Sequence, residues 1–148
     1  IVIDTLKNRL EQIFIFSGHG GTILKRSIFK TKKVFLHVHG GYLPDYKGST
    51  TNYYSLIMDY ELGASSIFLN ESIDEGPIII RKKFKITGKI QDIDYYYDNH
   101  LRSLVLVETI RKLSTKKYIK LTKQKSVGDM YFIIHPVLKH IALLSLKQ

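Results

Sequence analysis

The chain contains no cysteine among its 148 residues. It therefore has no disulfide framework, no thiolate nucleophile and no cysteine-based zinc site. No apolar run approaches the roughly 18–20 residues that a transmembrane helix needs. The first residues also lack the basic segment and long apolar segment of a secretory signal. Together these absences favour a cytoplasmic protein.

The charge of the chain is strongly positive, at +10. One interpretation is a lysine-rich, well-solvated surface. The other is an anionic partner: a nucleotide-linked substrate, RNA or a polyglutamylated cofactor. Basic residues are denser at 81–83 and 116–125 but occur throughout, and no RNP-like, zinc-finger or Walker-A signature is present. Scattered lysines favour solubility over a dedicated nucleic-acid surface.

The apolar pattern predicts an α/β fold in one domain. Continuous apolar runs, such as residues 13–16, are typical of strands covered on both faces in a parallel sheet. A closing hairpin and helix are expected at the end of the chain. The predicted helices are 2–11, 23–29, 49–60, 92–113 and 137–146, and the predicted strands are 13–16, 34–38, 65–69, 78–84, 116–121 and 130–134.

Two histidines, His37 and His39, lie at i and i+2 on a predicted strand, so their side chains share one face. Three interpretations remain open for them. They are metal ligands completed by His19 or Asp74, hydrogen-bonded core residues at a strand end, or catalytic groups. The catalytic interpretation is favoured because the strand runs into a Gly-Gly turn, and ligands of open α/β sheets bind beyond the carboxyl ends of strands.

Three further features have plain structural interpretations beside functional ones. Asp74 lies in a turn between two apolar strands, where simple turn chemistry accounts for it unless it meets the histidines. The glycine-rich segment 17–21 lacks the full pattern of a phosphate loop, so it is either a flexible turn or a wall against a flat ligand ring. Tyr95, Tyr96 and Tyr97 are expected in core and interface packing, with stacking on a base or sugar as the alternative.

The stretch HVHGGYLPDYKG (residues 37–48) resembles the Asn-x-His-x-Ser-Leu-Leu-Pro-x-x-x-Gly signature of the folate-dependent formyltransferases. GASSIFLNESIDEGP (residues 63–77) resembles the second motif of that family, which ends in Asp-x-Gly-Pro. The resemblance spans about residues 2–113. It implies a Rossmann-like, open, mostly parallel sheet with helices on both faces, in an N-terminally incomplete catalytic domain at 1–113. Residues 114–148 would form a short β/α extension.

The resemblance also implies roles for individual residues. His39 and Asp74 fall on the catalytic histidine and aspartate of the family, and His37 falls where the family usually has asparagine. The formyl donor would be 10-formyltetrahydrofolate, and no metal is required. The residues expected to line the folate pocket lie in two segments: Ser17, Gly18, Gly20, Gly21, Ile23 and Leu24 in the first, and Asn70, Glu71 and Gly76 in the second.

Departures from the family pattern carry information. We hypothesise that His37 replaces the asparagine as hydrogen-bond donor and that activity survives, with a shifted pH profile, because imidazole can donate from one or both nitrogens. Gly41 replaces the usual serine. Ile67 stands where purine-pathway members have histidine, which argues against that branch.

The implied reaction is transfer of a formyl group to a primary amine, with His39 stabilising the oxyanion and moving protons while Asp74 orients it. We expect the amine of a nucleotide-linked amino sugar, because 114–148 is too short for the tRNA-binding barrel of a methionyl-tRNA enzyme. The alternatives are a methionyl-tRNA formyltransferase-like enzyme, a formyltetrahydrofolate hydrolase, and an impaired module that binds a folate or a partner. A homodimer formed through 95–97 and the tail is a further possibility.

Overall fold

The computed structural model describes residues 1–18, 21–86, 92–125 and 128–147. Within these ranges the α/β fold expected from the sequence is confirmed, and the long final helices are found close to their expected positions. The elements in chain order are α1 (Val2–Asn8), β1 (Ile13–Ile15), α2 (Arg26–Phe29), β2 (Val34–His39), β3 (Tyr46–Gly48), α3 (Thr51–Asp59), β4 (Glu61–Phe68), β5 (Ile78–Lys85), a π-helical segment (Ile93–Tyr97), α4 (Asp98–Thr115), β6 (Asp129–Tyr131), α5 (Pro136–Leu144) and a 3₁₀ turn (Ser145–Lys147).

The main sheet has four described strands in the order β1-β2-β4-β5. β1 and β2 are parallel, whereas β2–β4 and β4–β5 are antiparallel. The expectation of a mostly parallel sheet is therefore wrong for the described strands. β4 and β5 are joined by the short segment 69–77, and parallel neighbours need a crossover of about a dozen residues or more.

Helices cover both faces of this sheet, as expected. Val38 of β2 and Leu62 and Ala64 of β4 point to one face, where they pack with Leu56 of α3 and Val105 of α4 in the main hydrophobic core. On the opposite face, the ring of Phe29 in α2 meets that of Phe35 in β2 edge-on, with centroids 6.1 Å apart. Alternation along β2 therefore places His37 and His39 on the face opposite the main core.

The C-terminal segment differs from the expected hairpin. β6 pairs in parallel with β3, and Thr122 forms an isolated antiparallel bridge with Ile78 at the start of β5. The prediction of a terminal hairpin is therefore wrong. The partner of a short strand depends on which sheet edges lie close to it in the folded chain. Ile134 and Ala142 of this segment join the main core. The division of the chain at 113/114 stays a prediction.

No helix in the described residues is both long and apolar enough to cross a membrane.

Candidate active site

The side chain of His39, at the end of β2, has a polar neighbour at each ring nitrogen. Its Nε2 donates a hydrogen bond to the carbonyl oxygen of Tyr46 at 2.8 Å. Its Nδ1 lies 3.5 Å from Oδ1 of Asp74. His39 is 6% exposed and Asp74 is 9% exposed, so this contact is largely shielded from water. The histidine and aspartate that the sequence singled out are thus brought together.

The proton positions of this pair follow from the nature of its neighbours. The Tyr46 carbonyl only accepts, so Nε2 of His39 carries a proton. In the neutral ring Nδ1 then carries a lone pair, and it is the ring nitrogen that lies on the side of Asp74. The arrangement therefore presents an imidazole nitrogen and a carboxylate side by side, which together can take up one further proton.

The backbone at Asp74 is itself unusual, with φ at +55° in the left-handed region. Asp tolerates this conformation better than most residues because its short side chain can bond locally. The second carboxylate oxygen, Oδ2, accepts the N–H of Gly48 at 2.9 Å. The carboxylate is therefore fixed between the imidazole of His39 and the end of β3.

His37 lies on the same face of β2 but has a different partner. Its Nδ1 donates to the carbonyl oxygen of Phe16 at 3.0 Å, and the two rings lie 5.9 Å apart. Burial lowers the pKa of His37 below its ordinary value of 6.5, and the Arg102 guanidinium lowers it further. Near pH 7 the ring is therefore neutral, with its one proton on Nδ1.

That geometry modifies the donor role expected for His37. In the neutral ring, Nε2 has a lone pair and accepts hydrogen bonds, because the only proton is already donated to Phe16. Nε2 of His37 becomes a donor only when the ring is protonated.

The absence of a side chain at Gly41 leaves room for the hydrogen bond between His39 and Tyr46. A Cβ atom added at Gly41 would lie 2.7 Å from Nε2 of His39 and 2.8 Å from the carbonyl oxygen of Tyr46. Ser65, which is fully buried, fixes the same loop by donating to the carbonyl of Gly41 and accepting the N–H of Leu43. The serine usual in the family therefore does not fit this loop conformation without movement.

The first of the two expected folate segments is exposed near His37. Ser17, Gly18 and Gly21 are exposed, and Gly20 lies outside the described residues, as does His19. Ile23 is exposed and Leu24 is half-buried, and both line a groove with the first residues of α1.

The second segment follows β4. Asn70 and Glu71 are exposed, whereas Gly76 is buried. Glu71 accepts a hydrogen bond from Arg26 Nε at 3.0 Å. This ion pair connects the second segment to α2, which begins two residues after Leu24, the last residue of the first segment.

Two polar contacts beside Asp74 were not anticipated from the sequence. Lys47, only 3% exposed, donates to Oε1 of Glu75 at 3.1 Å. Gln124, from the segment after α4, donates to the carbonyl oxygens of Asp74 and Gly76. Neither contact has a local signal, because each joins residues far apart in the chain.

A metal site has no support from the described part of the chain, where no three His, Cys, Asp or Glu side chains cluster as ligands. The third ligand considered for the histidine pair was His19 or Asp74. His19 falls outside the described ranges, and Asp74 contacts His39 directly.

The sequence matches the family described as Formyl transferase over residues 4–104. A curated relative, the methionyl-tRNA formyltransferase of Finegoldia magna, is 30% identical over 90 residues, which cover 60% of this chain and 29% of the relative. The chain thus matches less than a third of that protein.

Solved structures share the fold. A 4-N formyltransferase from Francisella tularensis superposes with a TM-score of 0.72 at 18% identity, covering 97% of this chain and 64% of that one. The formyltransferase PseJ from Anoxybacillus kamchatkensis, in complex with UDP-4,6-dideoxy-4-formamido-L-AltNAc and tetrahydrofolate, gives a TM-score of 0.66 at 19% identity. That superposition covers 85% of this chain and 67% of PseJ.

Proposed function

This chain belongs to the formyl transferase family, and on that premise we propose that it transfers a formyl group from 10-formyltetrahydrofolate to a primary amine. The observation that carries the proposal is the buried contact between His39 and Asp74. A shielded imidazole–carboxylate pair at a strand end is suited to moving a proton during acyl transfer. The matched part is under a third of the curated relative, so the activity of the whole protein is part of this proposal.

Exposed residues of the two expected segments suit a folate. Ser17, Gly18, Asn70 and Glu71 are exposed and offer backbone and side-chain hydrogen-bonding groups to a flat polar ring. When bound, 10-formyltetrahydrofolate supplies the activated formyl carbon. PseJ, which has this fold, holds tetrahydrofolate in its crystal structure.

In this proposal His39 and Asp74 together transfer the proton, and we refer to them as the acid–base unit. As the bond from the amine nitrogen to the formyl carbon forms, the bond from that carbon to N10 of the folate would break. The unit would take up the proton that the amine loses, and N10 would receive it, so that tetrahydrofolate leaves. When that proton is on the ring of His39, the imidazolium also places positive charge near the formyl oxygen, which becomes negative as the amine attacks. The hydrogen bond from Nε2 to Tyr46 keeps the ring in one orientation throughout.

We propose that His37 forms part of the same site, with a role that depends on pH. In its neutral form Nε2 accepts a hydrogen bond, which suits the N–H of an attacking amine. In its protonated form Nε2 donates, which suits the formyl oxygen and is the role that asparagine has in the family. The pKa of His37, lowered by burial, makes the neutral form the working one near pH 7.

For the acceptor, we propose the amine of a nucleotide-linked amino sugar. The 4-N formyltransferase shares the fold over 97% of the chain, and a methionyl-tRNA formyltransferase from Clostridium thermocellum shares it over 91%, so fold coverage alone does not separate an amino sugar from methionyl-tRNA as the acceptor. PseJ contains a UDP-linked formamido sugar. A net charge of +10 favours an anionic acceptor of this kind.

A second candidate acceptor is methionyl-tRNA. The observation in its favour is that the curated relative of 30% identity is a methionyl-tRNA formyltransferase. The positive charge of the chain suits this acceptor equally, so charge does not separate the two.

Other properties of the protein are part of the proposal. A homodimer formed through residues 95–97 and the C-terminal tail remains a prediction; within this surface Tyr95 and Tyr96 are 84% and 61% exposed. A cytoplasmic location, and a division into a catalytic part at 1–113 and an extension at 114–148, also remain predictions.

The test uses the complete protein with 10-formyltetrahydrofolate and a panel of nucleotide-linked amino sugars, with methionyl-tRNA as comparator. Mass spectrometry then looks for the gain of one formyl group. A formylated sugar that disappears in Asp74→Asn supports the proposal. A formylated tRNA alone moves the assignment to the second candidate.

Two results contradict transfer to an amine. Free formate with no formylated acceptor indicates the hydrolase, because water then takes the place of the amine. Neither formate nor a formylated acceptor indicates a module that only binds a folate or a partner.

A further inference from the structure

The amide of Gln124 clasps the turn that carries Asp74. Its Nε2 lies 2.7 Å from the carbonyl oxygen of Asp74 and 2.7 Å from that of Gly76, so both amide protons are donated within one turn. Gln124 itself is placed by the bridge between Thr122 and Ile78, whose two backbone hydrogen bonds are each 2.9 Å long. The C-terminal segment therefore reaches directly to the candidate active site.

The orientation of this amide is fixed by its neighbours. The reverse orientation would direct Oε1 of Gln124 at two carbonyl oxygens, and all three are acceptors only. Oε1 is buried and has no hydrogen-bond partner within the described residues. In the described structure, the hydrogen bonds of the Gln124 side chain thus go only to the carbonyl oxygens of Asp74 and Gly76.

The clasped turn needs such support because Asp74 has a left-handed backbone, with φ at +55°. Residues in that region are stable only where their surroundings hold them there. The backbone direction at Asp74 sets where its carboxylate points, and the carboxylate must reach both Gly48 and His39. A small rotation of this turn would separate the acid–base unit.

We propose that Gln124 is a positioning residue that holds the carboxylate of Asp74 against His39. The inference rests on the proposed function for its catalytic consequence, but its structural consequence stands separately. Its chemistry is specific, since only a side chain with two N–H groups on one nitrogen serves both carbonyls from this position.

The test compares two glutamines in the complete protein. Gln124→Met keeps the length of the side chain and removes the donor, and Gln124→Glu directs a carboxylate at the two carbonyls. Gln12→Met is the matched control, because Gln12 is exposed and its Nε2 also donates to a backbone carbonyl, that of Leu10 at 3.1 Å.

In the formyl-transfer assay, kcat is expected to fall about tenfold in Gln124→Met and further in Gln124→Glu, since small displacements of catalytic groups have effects of this size or larger. KM for the amine should stay nearly unchanged, because Gln124 does not need to touch the acceptor. Gln12→Met should match the unmodified protein. Equal kcat in Gln124→Met and Gln12→Met would overturn the inference.

Amide hydrogen exchange gives a readout that does not need activity. The N–H of Gly48 is donated to Asp74, so its exchange should accelerate in Gln124→Met while that of Val105, in the core of α4, stays constant. Unchanged exchange at Gly48, or equal acceleration at Val105, would overturn the inference. If the unmodified protein transfers no formyl group, the proposed function fails, and exchange at Gly48 still decides the role of Gln124.

Discussion

His39 and Asp74 meet through Nδ1 and Oδ1 at 3.5 Å, although one residue ends a strand and the other lies in a turn after a different strand. The Tyr46 carbonyl on the far side of the imidazole fixes its tautomer. Nδ1 is therefore the ring nitrogen that lies beside the carboxylate of Asp74. This contact is the basis of the first prediction.

Asp74→Asn is expected to lower kcat/KM for formyl transfer by roughly 10²–10⁴-fold, the range typical of lost acid–base assistance. The amide oxygen can still accept the N–H of Gly48, so the fold should persist. Steady-state kinetics with circular dichroism checks both points. Glu108→Gln, which removes a carboxylate paired with Lys82 on the outer surface of α4, is the control. Full activity in Asp74→Asn would contradict the acid–base role.

Gly41→Ala is expected to displace His39 from Tyr46, because the new Cβ would lie 2.7 Å from Nε2 and 2.8 Å from the carbonyl oxygen. We expect activity to fall about 10²-fold and the free energy of unfolding to fall by about 1–3 kcal/mol. Kinetics and urea unfolding measure the two effects. Gly41→Ser should behave in the same way, even though serine is usual in the family. An active, equally stable Gly41→Ser protein would show that the loop adapts.

Protonation of His37 is expected to destabilise the fold. Its pKa in the folded protein is below the ordinary 6.5, chiefly because of burial, so under acid conditions the unfolded chain binds this proton more readily. The contribution of neutral His37 to the free energy of unfolding is therefore complete above about pH 6.5, and the protein loses it as the pH falls below that value. Urea unfolding between pH 7.5 and 5.5 should show a smaller loss in His37→Asn than in the unmodified protein. Parallel curves would contradict burial of the neutral ring.

His37→Asn also tests the role of this residue in transfer. Asparagine donates a hydrogen bond at every pH, whereas neutral His37 offers only an acceptor at Nε2 because its proton goes to Phe16. The profile of kcat/KM against pH should therefore change shape between pH 5.5 and 8, and His37→Ala should lose about tenfold or more at pH 7. If both variants follow the unmodified profile, His37 has no part in the reaction.

Glu75→Gln is expected to lower the free energy of unfolding by about 1–3 kcal/mol, because it leaves the buried ammonium of Lys47 without its charged hydrogen-bond partner. Glu71→Gln is the matched control, since its partner Arg26 has a side chain that is 78% exposed. Exposed pairs contribute at most about 1 kcal/mol. Equal effects in urea unfolding would show that burial of Lys47 does not matter.

Much of the fold and site follows from local sequence. Apolar runs gave the positions of β2, β5 and α4, and the i, i+2 spacing placed His37 and His39 on one face. The pattern at 130–134 predicted a strand but not its partner, because β6 pairs with β3 rather than with 116–121. Pairing depends on which edge is within reach, and a single short segment carries no record of that.

The sequence by itself determined which residue types stand at the strand ends: two histidines before a Gly-Gly turn and an aspartate before a Gly-Pro turn. Tertiary structure alone decided what each of them contacts. His37 donates to Phe16 rather than facing Asp74, and Gln124 reaches Asp74 from the C-terminal segment. Hydrogen bonds and proton positions depend on distances of a few ångströms between groups distant in sequence. Those distances are set only when the strands pair and the core packs.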